Sequence, residues 1–561
     1  MSIKGVDSRR VVIVGGVAAG MSAATRLRRL DEAASIVVLE RAGYVSFANC
    51  GLAYYVGGII QNRDDLLLQT PEKLAERFRL DVRIYSEVIA INRQARTVTV
   101  LDRLEGRVYE EPYDELVLAM GAGALHPDIP GSERMLTLRS IEDLDSIVAT
   151  VDALAPDAPA VVLGAGYVGL EMVENLVARG LRVTLVHRGQ HVLSTLDPEM
   201  STPIEDLLRA VGVDLRLDNT LVSVGSGAVE LEDGSIVDTE LVISSIGVRP
   251  NTKIVDAAGI LLGDSGGIAV DDRHRTNDPH IYAAGDIAEK HSDLADDNRM
   301  VALAGPANRD GRFVADAIIG AEAPSPSVLG TAILEIFGLA VASVGLTEAA
   351  LLTSSRDIRV IHTHPASHAT YYPGAQSMAL KLIVDAVTDD ILGAQVVGGA
   401  GVDRRIDVIA TAMSAGLPAS RLASLELAYA PQFGSAKDPV NMLGYIAGNL
   451  RTGQERTIQW HELAAELTAG ALLVDVRTEV EFAEGSIPDA VNMPLDDLRT
   501  RSSELGRQRV IVHCQVGQRG HTAASLLRQM GIDAINLDGG YRTWVAGSRS
   551  STREPEGSAR P

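Results

Sequence analysis

The chain has 561 residues, a formal net charge of -23 and two cysteines, and no run approaches the ~18 uncharged residues of a membrane helix. That length exceeds one core and suits roughly three to five domains, while the acidity argues against nucleic acid as the main partner. So few cysteines exclude a disulfide scaffold and suit a reducing, cytoplasmic setting.

Arg9-Arg10 ahead of an apolar run resembles the start of a signal sequence, but Gly15-Gly16 follow at once and the pattern is strand, turn, helix. A strand over Arg10–Val14, a turn over 15–20, a helix over 21–30 and a strand over 36–39 ending in Glu40 make a βαβ dinucleotide fold. Gly15 and Gly20 admit a pyrophosphate at the helix N-terminus, and Glu40 reaches the ribose hydroxyls. Val17 stands at the second glycine position, so the motif is weak alone. Glu40, twenty residues past Gly20, strengthens it.

The first cysteine follows in Ser46-Phe47-Ala48-Asn49-Cys50-Gly51-Leu52-Ala53-Tyr54-Tyr55, where Tyr55 takes the place of a C-x4-C partner. A lone thiol beside a dinucleotide site has three fates: inert packing, oxidation by peroxide or oxygen, or a mixed disulfide with a small thiol. Leu116-Val117-Leu118-Ala119-Met120-Gly121 resembles the second short motif of two-dinucleotide flavoenzymes. Their later Gly-Asp motif, which puts an aspartate on the flavin ribitol, is matched by Ala283-Ala284-Gly285-Asp286.

Between these lies a cleaner βαβ: a strand over 160–163, Gly164-Ala165-Gly166-Tyr167-Val168-Gly169, a helix through Arg179 and a strand over Arg182–Val186. It ends in His187-Arg188. A carboxylate there would bond the 2'-hydroxyl of NAD, whereas a basic end tolerates a 2'-phosphate, so NADPH is admitted. A solvated Arg188 is the bland alternative. Gly247, in Ile246-Gly247-Val248-Arg249-Pro250-Asn251, closes this domain. Two nested nucleotide folds define a flavin-dependent pyridine-nucleotide oxidoreductase using FAD and NAD(P)H.

Residues 1–450 resemble the coenzyme A-disulfide reductases and the related persulfide and polysulfide reductases. The Cys50 motif carries the likeness, with Leu303-Ala304-Gly305-Pro306-Ala307-Asn308, Tyr371-Tyr372-Pro373-Gly374-Ala375 and Tyr429-Ala430-Pro431-Gln432-Phe433. Ala53 departs from the proline frequent in relatives. The resemblance implies a homodimer whose interface domain brings Tyr429, and Tyr371 or Tyr372, to the partner's Cys50, where a phenol donates a hydrogen bond to a leaving thiolate or sulfide; ordinary interface packing is the plainer reading of each tyrosine. It implies that Arg41, Ala119, Gly121, Asp286 and Ala304 line the flavin. Coenzyme A is an anion, and the first helix supplies Arg26, Arg28 and Arg29. By resemblance Arg26, Arg29 and Lys73 meet its phosphates, and Ser46 and Asn49 line its thiol end; a solvated helix face is the plainer reading.

After Asn449 a polar linker over 451–456 leads into a new α/β unit. Leu472-Leu473-Val474-Asp475-Val476-Arg477, Gly485-Ser486-Ile487-Pro488-Asp489-Ala490 and Val510-Ile511-Val512-His513-Cys514 resemble a single-domain rhodanese, as does Gly539-Gly540-Tyr541-Arg542-Thr543-Trp544. Ser486 replaces a histidine common in that motif. Cys514 to Arg519 is C-x4-R, the sulfur-sized loop, one residue shorter than the phosphatase C-x5-R. A strand, a six-residue loop and a helix from about His521 form a nest of backbone N–H groups suited to a persulfide anion.

The expected fold is therefore α/β: two nested Rossmann-like domains, for FAD (1–148 and 266–325) and NAD(P)H (149–265), an α+β interface domain (326–450), a linker (451–456), a rhodanese domain (457–547) and a disordered polar tail (548–561). The expected chemistry begins with NAD(P)H reducing FAD, which holds Cys50 as a thiolate. Cys50 then attacks the S–S bond of a coenzyme A persulfide, polysulfide or disulfide, while Cys514 carries sulfane sulfur. Two rivals stand beside it: an NADH oxidase or peroxidase using a cysteine sulfenic acid, and a redox-sensing sulfur-trafficking protein. No metal, nucleic acid or membrane enters this reading.

Overall fold

A computed structural model describes residues 9–321, 325–352, 354 and 356–551. They gather into two units, Met1–Val186 with Thr220–Gly330, and His187–Asn219 with Thr331–Pro561. No helix among the described residues is long and apolar enough to cross a membrane.

In the first unit, β1 (Arg10–Val14), α1 (Ala18–Leu30), β2 (Ser35–Leu39), α2 (Leu52–Val56), β3 (Asp81–Arg83) and β4 (Glu115–Leu118) precede a second βαβ. That repeat is β5 (Pro159–Leu163), α3 (Tyr167–Ala178), β6 (Arg182–Val186) and β7 (Leu241–Ser244); β8 (Ile281–Ala283) and α4 (Ala304–Ile318) return to the first sheet. The first sheet is parallel in the order β8–β4–β1–β2–β3. Its central strands bury continuous apolar runs on both faces, as a parallel sheet clad by helices requires. A Cβ at Gly311 of α4 would stand 2.1 Å from the Ala19 carbonyl oxygen, so α1 and α4 pack with backbones nearly touching. The second sheet runs β6–β5–β7.

In the second unit β9 (Ala332–Ile336), β10 (Leu339–Gly345), β11 (Ile358–Thr363), β12 (Met378–Asp385) and β13 (Ile391–Gly398) form an antiparallel sheet in the order β9–β10–β13–β12–β11. α5 (Val402–Ser414) and α6 (Pro439–Arg451) follow it. The helix Pro198–Ala210 belongs to this unit and supplies one side of a charged cluster. The Lys381 ammonium, fully buried on β12, lies 2.8, 2.6 and 2.7 Å from carboxylates of Asp197, Glu199 and Glu348. Those three carboxylates have the spacing of a metal cage, and Lys381 takes the place of the cation.

The last module is a parallel sheet, β14 (Thr457–Ile458), β18 (Ala534–Leu537), β17 (Val510–His513), β15 (Leu472–Asp475) and β16 (Val491–Asn492) in spatial order, with α7 (Glu479–Ala483), α8 (Gln518–Gln529) and α9 (Gly540–Ser551). It docks on β11 by polar contacts. The His362 ring nitrogens reach Asp538 at 2.7 Å and Glu199 at 2.9 Å, and the His362 N–H donates to Asp538 at 2.8 Å. Gln459 donates to the Val360 carbonyl at 3.0 Å, and His364 meets Thr543 at 2.8 Å.

The linker is exposed at 451–454 and 456, and Glu455 alone is buried, paired with His521 at 3.0 Å and accepting from Asn536 at 3.2 Å. Two expectations change. The tail expected from 548 is helical to Ser551, with Arg549 paired to Asp206 at 2.9 Å, and the remainder lies outside the described residues. α8 begins at Gln518, so the Cys514 loop spans four residues and Arg519 sits in the first helical turn.

Candidate active sites

The two glycine turns repeat one geometry. Gly15 has φ +106° and Gly164 φ +103°, and a Cβ would stand 2.2 Å from the Ala119 carbonyl oxygen in one and 2.5 Å from that of Ser245 in the other. Only glycine adopts that backbone at that separation. Val17 is accommodated because its φ of -111° is ordinary, and the matching Gly166 has no atom within 4 Å of its would-be Cβ. Neither α1 nor α3 has a side-chain cap or an acid in its first turn, so the positive end of each helix dipole faces a pyrophosphate without a competing carboxylate. Glu40 is buried with its oxygens accepting from Gly16 N–H at 2.8 Å and Ala42 N–H at 2.9 Å; burial pushes its pKa up. Arg41 beside it is exposed.

Asp286 follows Gly285, whose N–H donates to the buried Asp310 at 3.2 Å. Lys290 lies 3.3 Å from Asp310 and donates to the Gly285 carbonyl at 2.7 Å, fixing the Gly-Asp turn. Arg139 reaches Asp286 at 3.4 Å. Gly121 has φ +60°, and Ala304 is exposed at the start of α4. The cradle therefore fits FAD on one βαβ and a nicotinamide dinucleotide on the other. At the end of β6, His187 is half-buried with its pKa pushed down by burial and Arg188, and Arg188 itself is exposed. Gly247 has φ +113°.

Cys50 is exposed, in a 3-10 turn over Asn49–Gly51 that opens into α2. The loop is tied to the first glycine turn: Ser46, at φ +49°, donates from its N–H to the Gly16 carbonyl at 2.8 Å, and Ala48 N–H donates to Leu66 at 2.8 Å. Burial, Glu171 and Asp286 push the Cys50 thiol up, against Arg139. Burial and the two carboxylates thus oppose ionisation of Cys50, and Arg139 favours it. Glu171 of α3 accepts from the Tyr54 hydroxyl at 3.2 Å, and its own pKa is pushed up by burial. Sequence reading missed Glu171 and Arg139.

Of the basic residues assigned to coenzyme A, Arg29 and Lys73 are exposed and Arg26 is paired through Nε with Asp316 at 2.8 Å. Arg28 is structural: buried, it donates to the carbonyls of Asp31, Glu32, Ala34, Phe78 and Arg79. In the second unit the Tyr371 and Tyr429 hydroxyls lie 2.8 Å apart, both rings exposed, and their hydrogen bond raises the pKa of Tyr371. Tyr372 sets its ring edge-on to His368 at 5.8 Å.

Cys514 is fully buried at the end of β17. Its carbonyl accepts from Tyr541 N–H at 2.8 Å, and Gln515's from Arg542 N–H at 3.1 Å. A Cβ on Gly540 would meet the Cys514 oxygen at 2.4 Å and the Val516 nitrogen at 3.0 Å, so the 539–542 turn seats the loop. The Arg519 guanidinium faces the Cys514 sulfur and pairs with both oxygens of Glu481, holding that carboxyl down at about 2. Arg477 is bidentate on Asp475, donates to the Gly485 carbonyl and Gln515, and lies 4.3 Å over the Tyr541 ring. This assembly is a buried thiol at a strand end, in a loop seated by the 539–542 turn, with the Arg519 guanidinium beside its sulfur.

Residues 9–308 match the family described as pyridine nucleotide-disulphide oxidoreductase, residues 332–439 its dimerisation domain, and residues 459–547 the rhodanese-like domain. A coenzyme A disulfide reductase of Staphylococcus aureus (strain JH9) is 38% identical over 439 residues, 78% of this chain and 99% of that protein. The structure of reduced Bacillus anthracis CoADR-RHD superposes with a TM-score of 0.95 at 42% identity, covering 96% of this chain and 98% of that one. A NAD-dependent persulfide reductase from A. fulgidus superposes with a TM-score of 0.89 at 33% identity, covering 95% and 100%.

Proposed function

Because the chain belongs to the pyridine nucleotide-disulphide oxidoreductase family, on the branch of the coenzyme A disulfide reductases, we propose that it reduces coenzyme A persulfide in the cytosol and that Cys514 supplies the sulfur. The observation that carries this is the pairing of a lone exposed cysteine on the flavin fold with a second, loop-cradled cysteine in a rhodanese-like domain of the same chain.

Cys50 Sγ, once deprotonated, attacks the inner sulfur of CoA–S–SH. A Cys50–S–S–CoA bond forms, the persulfide S–S bond breaks and hydrosulfide leaves. Loss of the Cys50 proton is opposed by Glu171, whose field it feels most among its charged neighbours. Gly15, Gly20 and Glu40 would hold the diphosphate and ribose of FAD and Asp286 its ribitol, and the flavin so held would supply the electron pair, drawn from NAD(P)H, that returns Cys50 and coenzyme A to thiols. In a homodimer the Tyr371–Tyr429 pair approaches Cys50 of a second copy and protonates the departing sulfide. Arg26, Arg29 and Lys73 take the coenzyme A phosphates, with Ser46 and Asn49 beside its thiol.

Mass spectrometry of the chain purified without reductant tests the substrate class: a coenzyme A adduct confined to Cys50 is expected. Cys50→Ser should bind FAD and let NAD(P)H bleach it, yet lose thiol-dependent turnover. More than a few per cent of residual turnover, or peroxide-dependent oxidation of NADH without any thiol, would sink the assignment.

A further inference from the structure

Glu481 lies outside the Cys514 loop, on the short helix α7, yet it fixes that loop's one arginine. Arg519 Nη1 donates to Glu481 Oε2 at 2.8 Å and Nη2 to Oε1 at 2.6 Å. The carboxylate is anchored in turn by the Thr478 N–H and hydroxyl, each at 3.0 Å, in a capping box. The two side chains are 35% and 31% exposed, enough cover for the pair to persist in water. The neighbouring cations are turned elsewhere: Arg542 Nη1 donates to the Ser377 hydroxyl at 2.8 Å. Arg477 is spent on Asp475, and burial pushes His513 down to about 4, so it is neutral at physiological pH. Gln515 turns its oxygen to Arg477. What remains for an incoming donor is the nest of backbone N–H groups, which suits one negative charge better than two.

Resting on the reading of Cys514 as a sulfur carrier, we propose that Glu481 sets donor specificity: by neutralising Arg519 it makes the loop select thiol persulfides over the thiosulfate dianion. With a persulfide R–S–SH, the Cys514 thiolate attacks the outer sulfur. The Cys514–S bond forms, the S–S bond of the persulfide breaks with its electron pair leaving on R–S⁻, and the proton stays with the new Cys514 persulfide. With thiosulfate the same bond forms, the S–S bond to the sulfonate breaks and sulfite leaves as a dianion. Sulfur moves as a neutral atom in both cases, so no oxidant or reductant is required. The steps differ in charge: thiosulfate brings two negative charges to a loop whose arginine is already balanced.

Glu481→Gln keeps shape and cap but removes the charge. In the full-length FAD-loaded chain, with NAD(P)H omitted to silence reduction, the loading rate of Cys514 is read from the sulfur atom gained by mass. Sulfite release from thiosulfate and thiol release from glutathione persulfide are followed alongside. The thiosulfate-to-persulfide ratio is expected to rise about tenfold in Glu481→Gln, fading with added salt, while Glu481→Asp keeps the parental ratio. An unchanged ratio, or an equal change for both donors, overturns the role of Glu481 while leaving sulfur transfer intact. If Cys514 of the parent chain gains no sulfur from either donor, the carrier reading falls, and this inference with it.

Discussion

Removing the His362 imidazole probes the seam that carries the rhodanese-like domain. The ring is fully buried between Asp538 at 2.7 Å and Glu199 at 2.9 Å. Burial alone would discharge it, but the two carboxylates outweigh that and hold its pKa up at about 9. In His362→Ala, Glu199 keeps Lys381 while Asp538 loses its cation in a dry site. Breaking a buried pair by deleting one partner costs about 3–5 kcal/mol. His362→Gln keeps one donor and should cost less. The native seam should also depend on pH. A folded pKa above the ordinary 6.5 gives stability fully present below 6.5 and lost as pH climbs through about 9, by at most ~3 kcal/mol. Denaturant titrations resolve this if the domain's transition is followed by its two tryptophans, Trp460 and Trp544. Proteolysis at the 451–456 segment gives an independent reading of undocking. A His362→Ala transition within 1 kcal/mol of the parent's, or an alkaline decline that persists in His362→Gln, would refute the reasoning.

NADPH should be used within about tenfold of NADH, since one charge contact contributes on the order of 1–2 kcal/mol. Arg188→Glu should shift the kcat/KM ratio toward NADH, and an unmoved ratio makes Arg188 a bystander. Cys514→Ser should barely slow turnover on coenzyme A persulfide supplied directly, but collapse it when a bulky sulfane donor and coenzyme A must first exchange sulfur. Equal loss on both substrates would place Cys514 on the obligatory path. Mixing Cys50→Ser with Cys514→Ser chains should restore sulfide release only when coenzyme A is added, the signature of a released carrier.

The glycine turns were legible because their chemistry is local: Gly15, Gly20, Gly164 and Gly169 each answer to a backbone atom a few residues away or on the adjoining strand end. Cys50 stood out through scarcity and Cys514 through loop length. The tyrosines were legible as a trio only. Which of Tyr371 and Tyr372 faces Tyr429 depends on a turn whose direction a sequence does not carry. Glu171, Arg139, Glu481 and His362 had no local pattern, because each gains meaning from a partner distant in the chain. Within the linker, Glu455 escaped notice for the same reason. Glu455 looks like any solvated acid until His521 and Asn536 close over it.

Lys381 has one more consequence. A cage of three carboxylates around a captured calcium or magnesium ion would hold only as well as the solution keeps it supplied, and a chelator would empty it by mass action. Here the counter-ion is covalently part of the chain, at an effective concentration that dilution cannot lower. Buried away from mobile ions, the cluster is also shielded from the screening that erodes surface pairs. The helix Pro198–Ala210 therefore stays riveted to the antiparallel sheet across swings in divalent cations and ionic strength.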